Sequence, residues 1–382
     1  MNDSSIQLSR RRVLQTATAV GAATLGYPLF GRDAGAKQGS PGGYSARVSK
    51  VVERALVVDM LAPLRMDFET SGYTAPLTAP EAAMFRESGV NAFHHSIGLG
   101  GPTAYEDSLA FLAAWQGFVG RNGNLFSLVG KAADLDDAKR SGKIAVIMGI
   151  QNAEQFREAK DVKTFHELGL RCAQLTYNSQ NLIGSGSTDR EDGGISDFGA
   201  DIIKAMNEVG MLVDVSHCGD RTTLDAIEAS SQPIAVTHSN CRALNNHPRL
   251  KTDEAIRKLA AKGGVMGITE VRMFVRDKDP VTVEHIVDHI DHVVQLVGID
   301  HVGIGSDAGL TGYDNMPAEQ LKALRGSYKA SYAMRDKLDT DGYGPKRVYA
   351  LTDALMRRGY SEDNIVAILG GNFRRLLGGI WV

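Results

Sequence analysis

Short, nearly unbroken apolar runs recur eight times along the chain, each closing on a polar or glycine-rich turn. They cover residues 55–59, 90–94, 144–150, 172–177, 211–217, 233–238, 264–269 and 301–307. Runs with so little polar alternation fit strands covered on both faces, as in a parallel sheet. The segments between them carry apolar residues at helical spacing. Residues 197–209 (DFGADIIKAMNEV) form such a stretch and stop at Gly210, a natural helix terminator. Residues 223–230, 253–262 and 283–297 repeat the pattern. Eight β-α units predict an α/β protein of the (β/α)8 TIM-type barrel class, with extra C-terminal helices over 312–382. A doubly wound open sheet is the competing architecture. No GxGxxG opens a helix after a strand, which weighs against it.

Composition changes the picture at the N-terminus. Arg10-Arg11-Arg12-Val13-Leu14 is a twin-arginine pattern, residues 16–30 are mildly apolar, and Ala34-Gly35-Ala36 is a small-x-small cleavage sequence. These are the three regions of a secretory signal. Residues 1–36 are therefore expected to be a twin-arginine signal peptide, and 37–382 a single barrel domain. That implies the twin-arginine export machinery as a partner and a periplasmic or secreted location. A net charge of −3 gives no sign of a nucleic-acid partner. Three cysteines are too few, and odd in number, for a disulfide framework.

In a (β/α)8 barrel, chemistry is built at the C-terminal ends of the strands. The sequence puts His94 and His95, Gln151, Tyr177, His217, His238, Glu270 and Asp307 at or just after those ends. His217 and His238 each close an apolar run with a hydroxyl residue beside them, in Val215-Ser216-His217 and Val236-Thr237-His238. Neighbouring parallel strands lie about 4.8 Å apart, so two such imidazoles can share one metal ion. Asp307, after Val302-Gly303-Ile304-Gly305-Ser306, is placed for general acid-base work. Arg249, in the loop after the sixth run, offers a guanidinium fork for a carboxylate. Cys218 and Cys241 near the two histidines read as small buried thiols. His285, His289 and His292 share one helix face, which reads as polar rather than metal-binding because barrel helices lie outside the active site.

From 55 to 377 the chain resembles the membrane dipeptidase family (renal dipeptidase type) of the metal-dependent amidohydrolase superfamily. The segment QLTYNSQNLIGSGSTDREDGGISDFGADIIKAMNEVGMLVDVSHCGDRTTLDAI (174–227) carries most of the resemblance. THSNCRALNNHPRL (237–250), HVGIGSD (301–307) and Gly371-Asn372-Phe373-Arg374 add to it. The resemblance implies a (β/α)8 barrel, zinc-dependent hydrolysis of dipeptides, and, as often in the family, a homodimer. It makes His217 and His238 ligands of the family's second zinc site, Arg249 the grip on a substrate carboxylate, and Asp307 the acid-base group.

The first zinc site does not carry over. The family pattern Asp-Gly-His-x-Asp is here Asp59-Met60-Leu61-Ala62-Pro63, the bridging Glu is Gln151, and the substrate-facing His is Tyr177. Hydrolysis of a dipeptide or small peptide-like amide could then use one zinc, with Gln151 or Asp307 completing the shell. It could instead use two, if Asp59, His94 or His95 rebuild the lost site. The alternative is a degenerate dipeptidase fold that binds, or helps to mature, a secreted peptide metabolite.

Overall fold

The structure, a computed structural model, describes residues 43–65, 76–326, 328–329, 332 and 334–381. The expected signal peptide, 1–36, lies outside the described residues.

Among the described residues nine parallel strands form the sheet: β1 Val58–Asp59, β2 Ala92–Ile97, β3 Phe126–Leu128, β4 Ile144–Ile150, β5 Leu170–Gln174, β6 Leu212–Asp214, β7 Ala235–Ser239, β8 Val265–Ile268 and β9 Val302–Ile304. Eight of them close into a ring. β2 pairs with β4 over six residues, from Ala92↔Ala145 to Ile97↔Ile150. The ring continues through β5, β6, β7, β8 and β9. It closes where Asp59 of β1 pairs with Ile304 on one side and Phe93 on the other. β3 is the addition the apolar pattern did not predict. It pairs only with the first half of β4, over Phe126↔Ile144 to Leu128↔Val146, while β5 takes the second half. At three residues, ending on an exposed Leu128, it leaves almost no run to read.

The barrel interior and its outer layer separate by the two-residue period of the strands. On β4, Ala145 and Ile147 point into a cluster with Val58, Met60, Ala92, Cys172, Leu212, Ala235 and Val265. Val146, Met148 and Ile150 pack outwards with Phe93, Phe111, Trp115 and Phe165. The C-terminal helix Asn372–Ile380 plugs the interior cluster with Phe373, Leu376, Leu377 and Ile380. The helix Asp197–Val209 begins on Ser196, whose hydroxyl accepts from Gly199 N, and ends on Gly210 at φ 73°, as its sequence predicts. The helices Asp253–Ala261 and Val283–Val297 also fall where expected.

The strands are shorter than the apolar runs, and this moves several side chains. β6 and β9 stop at Asp214 and Ile304, so His217 and Asp307 sit on loops three residues further on. β2 runs to Ile97, so His94 and His95 are buried within the strand rather than closing it.

Two glycines let the upper layer of the barrel close. A Cβ at Gly305 would stand 1.9 Å from the Thr237 carbonyl oxygen and 3.1 Å from His238 Cα. One at Gly267 would stand 2.0 Å from the same oxygen. Because the obstacle is backbone, Gly305→Ala is expected to displace the end of β7 and to destabilise the fold by about 2–3 kcal/mol or more. A chemical denaturation curve that overlays the parent would refute this packing role.

Candidate active site

His217 and His238 meet at the mouth of the barrel, with their Nε2 atoms 3.0 Å apart. Both rings are buried. Their protonation follows from their other nitrogens. His217 Nδ1 lies 2.7 Å from Asn178 Oδ1, an acceptor, so Nδ1 carries the proton. His238 Nδ1 lies 2.8 Å from Thr237 Oγ1. That hydroxyl gives its single proton to Asp214 Oδ2 at 2.7 Å, so His238 Nδ1 must be the donor. Both Nε2 atoms therefore present bare lone pairs to each other across 3.0 Å, with no hydrogen between them. Burial, and then the Arg249 cation, hold both imidazoles well below their ordinary pKa. Neutral rings with converging lone pairs and the second nitrogen locked by an oxygen are what a cation ligand pair needs.

Asp214 organises this arrangement from inside the barrel. Its Oδ1 accepts from Ser216 N at 2.9 Å, Ser216 Oγ at 2.5 Å and Thr237 N at 3.0 Å. One buried carboxylate thus ties together the loop carrying His217 and the strand carrying His238. The sequence reading missed both Asp214 and Asn178. The signal available was the strand alternation Leu212, Asp214, Ser216, which faces one side.

Asp307 completes the polar end. Its Oδ1 is 3.9 Å from His238 Nε2, and its side chain keeps 14% of its exposure. Burial pushes the carboxyl up to about 7; Arg249 opposes the shift, while Asp59 and Asp214 add to it. Among the described residues it alone, glycine aside, has a positive φ, 62°. That conformation costs about 1 kcal/mol. It is held by Asp307 N donating to Leu61 O at 2.8 Å and by Tyr313 Oη donating to Asp307 O at 2.7 Å.

Gln151 donates Nε2 to Ser96 O at 3.1 Å, and its buried Oε1 has no partner. Tyr177 stacks on His217 with ring centroids 4.2 Å apart, and its hydroxyl meets that of Tyr328 at 2.6 Å. Gln151, Tyr177, His217 and Asp307 all line one cavity of about 390 Å³. Tyr313, Tyr328, Tyr332, Phe274, Met273 and Met334 give its wall an aromatic and thioether stretch.

Arg249 is placed differently from the expectation that it grips a substrate carboxylate. It is fully buried and is not part of the cavity wall. Its Nη1 donates to Ser216 O, and its Nη2 to His238 O at 2.9 Å. In this conformation it clasps the backbone beneath the two histidines and sets the positive potential behind them.

The structure does not assemble a second metal site from Asp59, His94 and His95. Asp59 Oδ2 accepts from Arg347 Nη2 at 2.7 Å, and its Oδ1 accepts from Ser306 N at 2.9 Å. His95 points outwards against Trp115 and accepts from Leu64 N at 3.2 Å. His94 donates Nδ1 to Met60 O at 2.6 Å, and its buried Nε2 is unpartnered. Among the described residues no group of three or more His, Cys, Asp or Glu side chains gathers as a ready cation site. The donors gathered at the barrel mouth are the Nε2 atoms of His217 and His238, 3.0 Å apart, and Asp59, His94 and His95 form no second set of three ligating side chains. The histidines of the helix Val283–Val297 are dispersed: His285 bonds Thr282, His292 bonds Asp253, and His289 is buried against Val275 O and Cys241 N. The face is therefore not wholly polar, as the sequence suggested. Cys172, Cys218 and Cys241 are all buried free thiols.

A closed parallel barrel with polar side chains gathered at the C-terminal ends of its strands is the architecture of the (β/α)8 enzymes. The sequence profile of the membrane dipeptidases, peptidase family M19, matches residues 45–325, and the chain belongs to that family. It is 33% identical over 252 residues to dipeptidase tcpJ of Claviceps purpurea, covering 65% of this chain and 53% of that one. It is 35% identical over 190 residues to dipeptidase verJ of Clonostachys rogersoniana, covering 49% of each. The chain thus spans about half the length of the curated relatives it matches. Among solved structures, an amidohydrolase from Pseudomonas aeruginosa superposes with a TM-score of 0.76 at 28% identity, over 87% of this chain and 99% of that one. A metallo peptidase from Rhodobacter sphaeroides, liganded with a phosphinate mimic of the dipeptide L-Ala-D-Ala, shares the fold with a TM-score of 0.71 at 20% identity, over 85% and 99%.

Proposed function

We propose that the chain is an exported, zinc-dependent hydrolase of dipeptides or small peptide-like amides, using one metal ion held by His217 and His238. The observation that carries this reading is the pair of facing, unprotonated Nε2 atoms at 3.0 Å, an unfavourable juxtaposition unless a cation joins them. A bound zinc ion supplies Lewis acidity toward an amide carbonyl and toward water. The remaining work falls to the chain. Asn178 and Thr237 hold the two rings in the ligating tautomer. Gln151 Oε1 supplies an acceptor on the cavity wall. Asp307, with its carboxyl near neutrality, takes a proton and passes it to the leaving amine. The aromatic wall excludes water and orients the substrate.

One observation favours a second reading, a binding or maturation factor for a peptide metabolite: the lack, among the described residues, of a cluster of three ligating side chains. The test is to express the full chain, recover it from the periplasm, and measure metal per chain and dipeptide turnover on the same sample. About one zinc with turnover is expected. Chain held in the cytoplasm with 1–36 uncut would overturn export. Metal-free, inactive protein that zinc does not restore would overturn the hydrolase and leave the binding role.

A further inference from the structure

Each histidine of the pair follows a hydroxyl residue, and both hydroxyls give their proton to one group. Ser216 Oγ donates to Asp214 Oδ1 at 2.5 Å, and Thr237 Oγ1 donates to Asp214 Oδ2 at 2.7 Å. The backbone N–H groups of the same two residues also donate to Oδ1, at 2.9 and 3.0 Å. Asp214 thus collects four donors from the residues next to the two candidate ligands. It is 1% exposed and paired in register with Gln174 on β5 and Ala235 on β7. The layer below it, with Cys172, Leu212 and Ala235, is apolar. A charge buried so deeply is tolerated only when it is fully bonded.

What that charge controls is the direction of a hydrogen-bond chain. A carboxylate only accepts. Asp214 takes the one hydroxyl proton of Thr237, so toward His238 Nδ1, 2.8 Å away, the hydroxyl oxygen accepts. His238 then carries its proton on Nδ1 and leaves Nε2 bare. Ser216 Oγ, 3.2 Å from Thr237 Oγ1, accepts from His238 N at 3.1 Å and gives its own proton to Asp214. An amide at position 214 would reverse the chain. Its oxygen would face the backbone donors on the Oδ1 side, so its NH2 would face Thr237 Oγ1. The hydroxyl would then turn its proton toward His238 Nδ1. The imidazole proton would move to Nε2, into the 3.0 Å gap to His217, as an N–H···N bond that shuts out a cation. Both arrangements hold the same number of protons; only the atom that carries one changes.

We propose that Asp214 is a positioning residue that selects, through the Thr237 hydroxyl, the metal-ligating tautomer of His238. Its carboxylate acts across two hydrogen bonds in series. The use of that tautomer rests on the zinc reading; the selection itself does not.

The test is Asp214→Asn combined with Ser216→Ala, which removes the second hydroxyl within reach of Thr237; Ser216→Ala alone is the control. The full chains are labelled with nitrogen-15 histidine and stripped of metal, and proton–nitrogen correlation spectra read the tautomer of each ring. His238 is assigned by its absence from His238→Gln. His94, whose Nδ1 bonds Met60 O outside this chain of contacts, reports that the barrel is intact. The parent and Ser216→Ala are expected to show His238 protonated on Nδ1, and the double variant on Nε2. Zinc affinity, measured by chelator competition, is expected to fall about 10–100-fold in the double variant. His238 still protonated on Nδ1 there overturns the proposal, because a merely structural loss would weaken zinc and leave the tautomer alone. Should the double variant not fold, Thr237→Val decides: His238 is expected to sample both tautomers, and a single Nδ1 form overturns the proposal. The two readings fail separately. A parent that binds no zinc, with the tautomer change seen, sinks the metal and keeps the role of Asp214. A zinc-binding parent whose double variant keeps the Nδ1 form does the opposite.

Discussion

Replacing His217 with alanine is expected to abolish stoichiometric zinc binding and to lower kcat/KM by about a thousandfold or more. One imidazole cannot hold the ion alone: His238 stays tied to Thr237, but its Nε2 then faces a void. Asn178→Ala should act through His217 and do less, weakening zinc by about 10–100-fold by freeing the ring to change tautomer. Zinc content after exhaustive dialysis, measured alongside turnover, separates the two. Unchanged metal in His217→Ala would remove the histidine pair from consideration.

The second large effect lies at the buried ion pair between Arg347 and Asp59. Both side chains are nearly fully buried, 3% and 1% exposed, and meet at 2.7 Å. Arg347 also reaches Ser306 Oγ at 3.2 Å, and Asp59 holds Ser306 N, so the pair anchors the turn that carries Asp307. Arg347→Met leaves a buried carboxylate without its cation and is expected to cost about 3–5 kcal/mol. Adding Asp59→Asn should recover part of that loss, because the stranded charge is gone. The exposed pair Arg47–Glu362 is the control, and Arg47→Met there should cost under about 1 kcal/mol. Urea midpoints of the variants test the ordering. Equal midpoints for Arg347→Met and Arg47→Met would mean that the buried pair holds nothing.

Much of this was legible in the sequence because burial on both faces writes long apolar runs. The eight ring strands, the helix ended by Gly210 and the meeting of His217 with His238 all follow from those runs and from barrel topology. β3 was not legible because three residues ending on an exposed leucine carry no period. The fate of Arg249 was not legible because an arginine in a loop reads the same whether it faces a ligand or two backbone carbonyls. Asp59 belonged to a strand end in the sequence, but its partner Arg347 lies 288 residues away, beyond any local pattern.

The left-handed backbone at Asp307 has a consequence for how such a barrel can change over generations. Glycine, asparagine and aspartate are the residues that adopt this conformation at least cost. Of the three, only aspartate is an acid. Glutamate, though chemically alike, would bring a longer side chain into a turn that does not suit its backbone. Drift at this one codon therefore moves among residues that all preserve the turn, and only one of them keeps a carboxyl at this place. A lineage could lose that carboxyl there without disturbing the fold, and regain it by a single substitution.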